Sequence, residues 1–64
     1  MEVQKFTLRE LRARKKWTQQ DTAKKLGISV QTYNAWEKDI SRVAVSKVNA
    51  VANLFEVTLS QIFF

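Results

Sequence analysis

The stretch "TQQDTAKKLGISVQTYNAWEK", Thr18 to Lys38, holds the only glycine of the chain, Gly27, between two patterns that each read as a short helix. In a chain without proline, that glycine marks the one position where the backbone can turn left-handed without a Cβ penalty. Ending a helix there lets the chain reverse within three or four residues, and two helices joined so tightly cross at a steep angle. The second helix of such a pair is pushed outward, and its N-terminal side chains form a ridge that fits a B-DNA major groove. Ordinary helical hairpins use the same turn, so the joint alone does not decide between the two.

The chain has 64 residues, which allows a single domain over 1–64 with one small core. It contains neither cysteine nor histidine, so a disulfide framework or a Cys/His zinc site is not available to stabilise it. No apolar run approaches the roughly 20 residues that span a bilayer, and "MEVQKFTLRE" lacks the apolar stretch of a signal peptide. A cytoplasmic protein with no membrane partner is expected. Eleven Lys and Arg against six Asp and Glu give a net charge of +5, which favours polyanionic partners.

Spacing predicts five helices and no strand. Thr7 with Glu10 forms a capping box that opens a helix over 8–16, edged by Leu8 and Leu11. Thr18 with Asp21 repeats the device, and Ala23 and Leu26 carry that helix to Gly27. Ser29 caps a third helix, 29–37, on which Tyr33 and Trp36 share one face while Val30, Gln31, Asn34 and Ala35 fall on others. Val45, Val48, Val51, Ala52 and Phe55 support a fourth. Thr58 with Gln61 opens a final turn carrying Leu59, Ile62 and Phe63. Read as a strand, "VTLSQIFF" has no partner and ranks below the helix.

From about Leu8 to Phe63 the chain resembles the lambda-repressor and Cro-like helix-turn-helix family, also called the xenobiotic-response-element family. The residues that carry the resemblance are "LREL" followed by Arg12, then "TQ", "LGIS" and "WE", in that order and at the family's spacing, with "VANLFEVTLSQIF" similar to the closing segment. The chain departs from the family at Glu56, where glycine is preferred, at Asp39, where glycine often follows the recognition helix, and at Val43-Ala44, which replaces a Pro-Ser/Thr helix start. The resemblance implies an all-α, compact five-helix DNA-binding domain with its helix-turn-helix at about 19–37.

It also implies roles. Val30, Gln31, Asn34 and Ala35 match groove-facing positions, and their chemistry suits base contact: an amide bonds adenine N6 and N7 together, and Val30 and Ala35 can meet a thymine methyl. Gln19 matches a position that hydrogen-bonds a phosphate and packs beside the recognition helix, whereas Gln20 is read as solvated. Ser29, Thr32, Lys38, Ser41 and Arg42 surround the ridge as phosphate contacts, joined by Lys16 from the basic cluster Arg9, Arg14, Lys15 and Lys16. Arg9 is read as solvated. Arg12 and Glu37 match a pair that bridges the first helix to the end of the third and fixes its angle. Trp17, Trp36 and Phe55 are read as core, with Tyr33 set apart because its hydroxyl can reach the surface.

The function expected is that of a sequence-specific transcriptional regulator on double-stranded DNA, a repressor that competes with polymerase at a promoter. Six scattered acids without histidine or cysteine offer no catalytic pair, and no enzyme, metal, cofactor or small-molecule substrate is expected. A homodimer at least on DNA is expected, paired through "LSQIFF", with Phe64 left over to make the contact; the alternative is that both phenylalanines close the small core. The competing class is a protein-interaction module, such as an antitoxin or accessory regulator, on the same fold. The DNA-binding head of a longer chain is a third reading.

Overall fold

The computed structural model describes residues 4–63. Four α-helices follow in order: α1 (Leu8–Lys15), α2 (Gln19–Leu26), α3 (Val30–Lys38) and α4 (Val45–Leu54). Single 3-10 turns span Ile40–Arg42 and Leu59–Gln61. The helix-turn-helix is thus formed by α2 and α3, with Gly27 at its joint. The expected fifth helix is only the second of these 3-10 turns, because the backbone beyond it is taken by the other end of the chain. The Phe6 N–H donates to the Gln61 carbonyl at 2.7 Å, and the Phe63 N–H donates to the Phe6 carbonyl at 2.8 Å. These bonds make one isolated parallel bridge, Phe6 to Ile62, so the "VTLSQIFF" segment does have a partner, for one residue pair.

Three helices start on side-chain caps. The Glu10 N–H donates to Thr7 Oγ1 at 3.1 Å while the Thr7 N–H donates back to Glu10 Oε1 at 2.9 Å, and Thr18 and Asp21 make the same reciprocal pair at 3.0 Å each way. Ser29 Oγ accepts the Thr32 N–H at 3.1 Å. α4 starts at Ala44 without a side-chain cap.

Three helices also end alike. α1, α2 and α4 close on left-handed residues, Lys16 at φ 60°, Gly27 at φ 71° and Glu56 at φ 60°. In each case the next N–H reaches back five residues: Trp17 to the Arg12 carbonyl at 3.2 Å, Ile28 to Ala23 at 3.0 Å and Val57 to Ala52 at 2.9 Å. This is the Schellman closure. The tripeptides at these joints, "KWT", "GIS" and "EVT", have one logic: a left-handed residue ends a helix, an apolar residue packs on the core, and a hydroxyl residue precedes the next helical turn. Helix one accordingly ends at Lys15, with Lys16 as its closing residue rather than its last helical one. Asp39 is extended at φ −155°, a conformation that needs no glycine, and its carboxylate accepts the Ser41 N–H at 3.0 Å to open the first 3-10 turn.

The core lies among the four helices, built from Leu8, Leu11, Ala23, Tyr33, Val48, Val51, Ala52, Phe55 and Ile62. Trp17 and Trp36 are half-buried against it, with the Trp17 and Phe55 ring centroids 5.7 Å apart. The buried hydroxyl of Thr22 donates to the Thr18 carbonyl at 3.0 Å. Val45, expected on the apolar face, is instead 66% exposed. It begins α4, and Ala44, Ser46 and Lys47 beside it are exposed as well, so this first turn overhangs the core. No helix of the described residues is long and apolar enough to cross a membrane.

The closures make a stability prediction. A left-handed non-glycine residue costs about 1–2 kcal/mol, part of which glycine returns as backbone entropy. Glu56 has only an exposed ion pair to lose, to Lys15 at 3.7 Å, worth little in solvent. Glu56→Gly should therefore raise the unfolding free energy by about 0.5–1 kcal/mol in urea titration. Gly27→Ala should lower it by about 1 kcal/mol through conformation alone, since an added Cβ meets nothing within 4 Å. Loss of stability on Glu56→Gly would contradict the strain assigned to that joint.

Candidate nucleic-acid interface

α1 packs against α3, and α2 packs against both α3 and α4, so α3 keeps one side free. Gln31, Ala35 and Lys38 are exposed and Asn34 is half-exposed, at the i, i+3, i+4, i+7 spacing of one helical stripe. Thr32, exposed, and Val30, half-buried, flank it. The stripe has one charge, Lys38, at its C-terminal end; its other groups are two amides and a methyl.

Behind this stripe lies an ion pair. Arg12 Nε donates to Glu37 Oε2 at 2.7 Å and Nη2 donates to Oε1 at 3.5 Å, with side chains only 19% and 7% exposed. A third guanidinium donor, Nη1, reaches the Trp17 carbonyl at 3.0 Å, so one arginine ties the end of α1 to the last turn of α3. Gln19, at the first position of α2, donates through Nε2 to Glu37 Oε1 at 2.9 Å and to Asn34 Oδ1 at 3.3 Å. Arg12, Glu37, Gln19 and Asn34 thus form one connected network through three helices.

Electrostatics follow from this geometry. Burial pushes the Glu37 carboxyl up, but hydrogen bonds from Arg12 and Gln19, with the charge of Arg12, outweigh it and hold the group below the usual carboxylate range. Hydrogen bonding to Glu37 raises Arg12 further. Tyr33, whose hydroxyl was expected near the surface, is 0% exposed, and its Oη is buried without a hydrogen-bond partner among the described residues. It lies too deep in the α1–α3 contact for solvent, and burial, followed by the nearby Glu37 carboxylate, pushes its phenol up.

Other residues named from the sequence are placed as follows. The Ser29 hydroxyl, besides capping α3, donates to Thr32 Oγ1 at 2.9 Å, which ties both hydroxyls to the start of the helix. Ser41 donates its hydroxyl to the Asp39 carboxylate, and Arg42 Nε lies 3.8 Å from the same group in a solvent-exposed pair. Lys16 is exposed at the end of α1, outside both the stripe and the network. Arg14 leans on the Phe6 ring at 4.7 Å from its centroid, and Lys25 on Trp17 at 4.8 Å. Glu10, Asp21 and Asp39 are held below the usual range by hydrogen bonds from Thr7, Thr18 and Ser41, so these carboxylates serve the backbone. The resemblance set Gln19 beside the recognition helix, but its partners Glu37 and Asn34, 18 and 15 residues away, are fixed only once α2 and α3 have crossed.

An exposed, mostly uncharged helical stripe on the second member of a glycine-jointed helix pair, braced from behind, defines a helix-turn-helix domain. A family model described as helix-turn-helix, of the Cro/C1 type, matches residues 8–62, and the chain belongs to the lambda-repressor and Cro-like helix-turn-helix family. It is a DNA-binding domain of the kind found in transcription regulators. No curated protein and no solved structure gives a match to the chain.

The network has a signature in pH. Because the folded-state pKa of Glu37 lies below its unfolded value of about 4.3, its contribution to stability is complete above that value and is lost as pH falls through the folded pKa. Glu37→Gln should be less stable than the parent by about 1–3 kcal/mol at pH 7, and the gap should narrow as pH is lowered below about 4.3. Denaturant titrations across this range check it; two parallel stability curves would contradict the assignment of Glu37 as a buried, ionised partner.

Proposed function

We propose that the chain is a sequence-specific regulator that binds double-stranded DNA, inserts α3 into the major groove and acts as a repressor in the cytoplasm by excluding polymerase from a promoter. The observation that carries this reading is the stripe of Gln31, Asn34 and Ala35 on the free side of a helix braced by Arg12, Glu37 and Gln19. Amides and methyls in that position suit base edges, whereas a helix displayed only to solvent has no need of so uncharged a face. Val30 joins the base contacts. Gln19, Ser29, Thr32, Lys38, Ser41, Arg42 and Lys16 serve the phosphates, where short donors and cations fix register without reading sequence.

The working form in this reading is a homodimer on DNA. One recognition helix reads too few base pairs to stand out in a genome, and paired half-sites about one helical turn apart supply the rest. The C-terminal segment suits the pairing: Phe63 is 55% exposed, and Leu59 is only half-buried. Phe64, expected from the sequence to make this contact, lies outside the described residues.

Selection of bound sequences from a random duplex pool tests specificity and pairing together. The expected product is a two-fold repeat with half-site centres about 10 base pairs apart. On that site Gln31→Ala should cost about 1–3 kcal/mol while binding to random DNA stays unchanged. An unstructured pool, or equal loss on both DNAs, would refute base readout by Gln31.

A further inference from the structure

We infer that the basic and aromatic surface at the ends of α1 and α2 is a docking site for an acidic, partly apolar segment of another protein. Two neighbouring hollows make this surface. One, of about 280 Å³, lies between the last turn of α1 and the joint after α4, and is lined by Leu11, Arg14, Lys15, Phe55, Glu56 and Val57. The other, of about 400 Å³, is lined by Trp17, Asp21, Lys24 and Lys25. They adjoin at Trp17, whose ring centroid is 5.7 Å from that of Phe55 and 5.9 Å from the Lys15 ammonium. The Lys25 ammonium reaches the same ring at 4.8 Å. Arg14, Lys24 and Lys25 are exposed and pair with no carboxylate among the described residues.

This charge is aimed away from the stripe of α3, on which Lys38 is the one cation. Gln19 marks the side of α2 that faces α3, through its bonds to Glu37 and Asn34. At 3.6 residues per turn, Lys25, Lys24 and Asp21 lie about 120°, 140° and 160° round the helix from it. A half-buried apolar floor, Trp17 and Val57, with unpaired cations at its rim complements a peptide that mixes carboxylates with apolar side chains. Nucleic acid fits less well, because Asp21 and Glu56 line the hollows and would meet a continuous row of phosphates, whereas a peptide offers them backbone N–H donors. A second copy of this chain, at a net charge of +5, lacks the complementary sign. The inference does not depend on base contact by α3.

The test titrates the full chain, at roughly physiological salt, with a short amidated peptide of glutamate, aspartate and leucine, and follows the two tryptophan indole N–H signals by NMR. Saturable binding that moves Trp17 and leaves Trp36, on α3, in place is expected. Lys25→Glu and Arg14→Glu, both at exposed positions, should each weaken the peptide about tenfold. Lys38→Glu, the same change of charge on the stripe, should alter binding by less than about twofold. A peptide with serine in place of every leucine keeps its charge and should also bind about tenfold more weakly, since the apolar floor is then left uncovered. Equal binding of the two peptides, or equal loss in all three variants, reduces the contact to net charge and overturns the inference. The absence of a saturable Trp17 shift overturns it as well. DNA duplex is added last: a peptide that stays bound supports the inference, whereas a duplex that moves Trp17 and displaces the peptide assigns the surface to phosphates and overturns it.

Discussion

The bidentate pair between Arg12 and Glu37 is the interaction on which the arrangement of this domain depends. It links the end of α1 to the end of α3 at 2.7 Å in a setting where both side chains are largely withdrawn from water. Removing two charges from solvent is costly, and apolar residues of similar volume often stabilise such a site as well or better. Its use lies in direction: a guanidinium fork and a carboxylate bond in few geometries, while two leucines slide. α3 is held at one angle to α1, and Gln19 extends that constraint to the first turn of α2 and to Asn34 on the free stripe.

The rest of the fold supplies short, rigid joints around that pair. α1, α2 and α4 each end by a left-handed residue, an apolar plug and a hydroxyl residue, so the chain changes direction without a long loop. Only Gly27 does so without strain. Lys16 and Glu56 hold the same conformation because the bonds from Trp17 and Val57 back to Arg12 and Ala52, with burial of the apolar plugs, outweigh its cost. The glycine sits at the joint between α2 and α3, the one that sets how far α3 projects.

What was legible in the sequence was local. Reciprocal caps at Thr7 with Glu10 and Thr18 with Asp21 are closed by neighbours three residues apart, so spacing alone reveals them. The buried faces carried by Leu8, Leu11, Val48, Val51 and Ala52 follow from helical period in the same way. The left-handed closure at Lys16 was hidden because lysine is a good helix former and tertiary packing overrides that preference, whereas at Glu56 the family's preference for glycine was a sign of it. The closing 3-10 turn was read as a helix because its capping pair is genuine, while the competing bonds come from Phe6, far away in the chain. The partners of Gln19 were invisible for the same reason: they depend on the angle at which two helices cross, which no spacing encodes.

That the ion pair sets this angle is the central claim, and replacing the pair tests it most directly. The double substitution Arg12→Met with Glu37→Leu keeps apolar volume at the contact between α1 and α3 and deletes its directionality. The unfolding free energy should equal or exceed that of the parent, while affinity for the DNA site selected by the parent should fall at least about tenfold. A variant that is as stable as the parent and binds that site with undiminished affinity would show that packing alone sets the angle of α3, and would contradict a directing role for the ion pair.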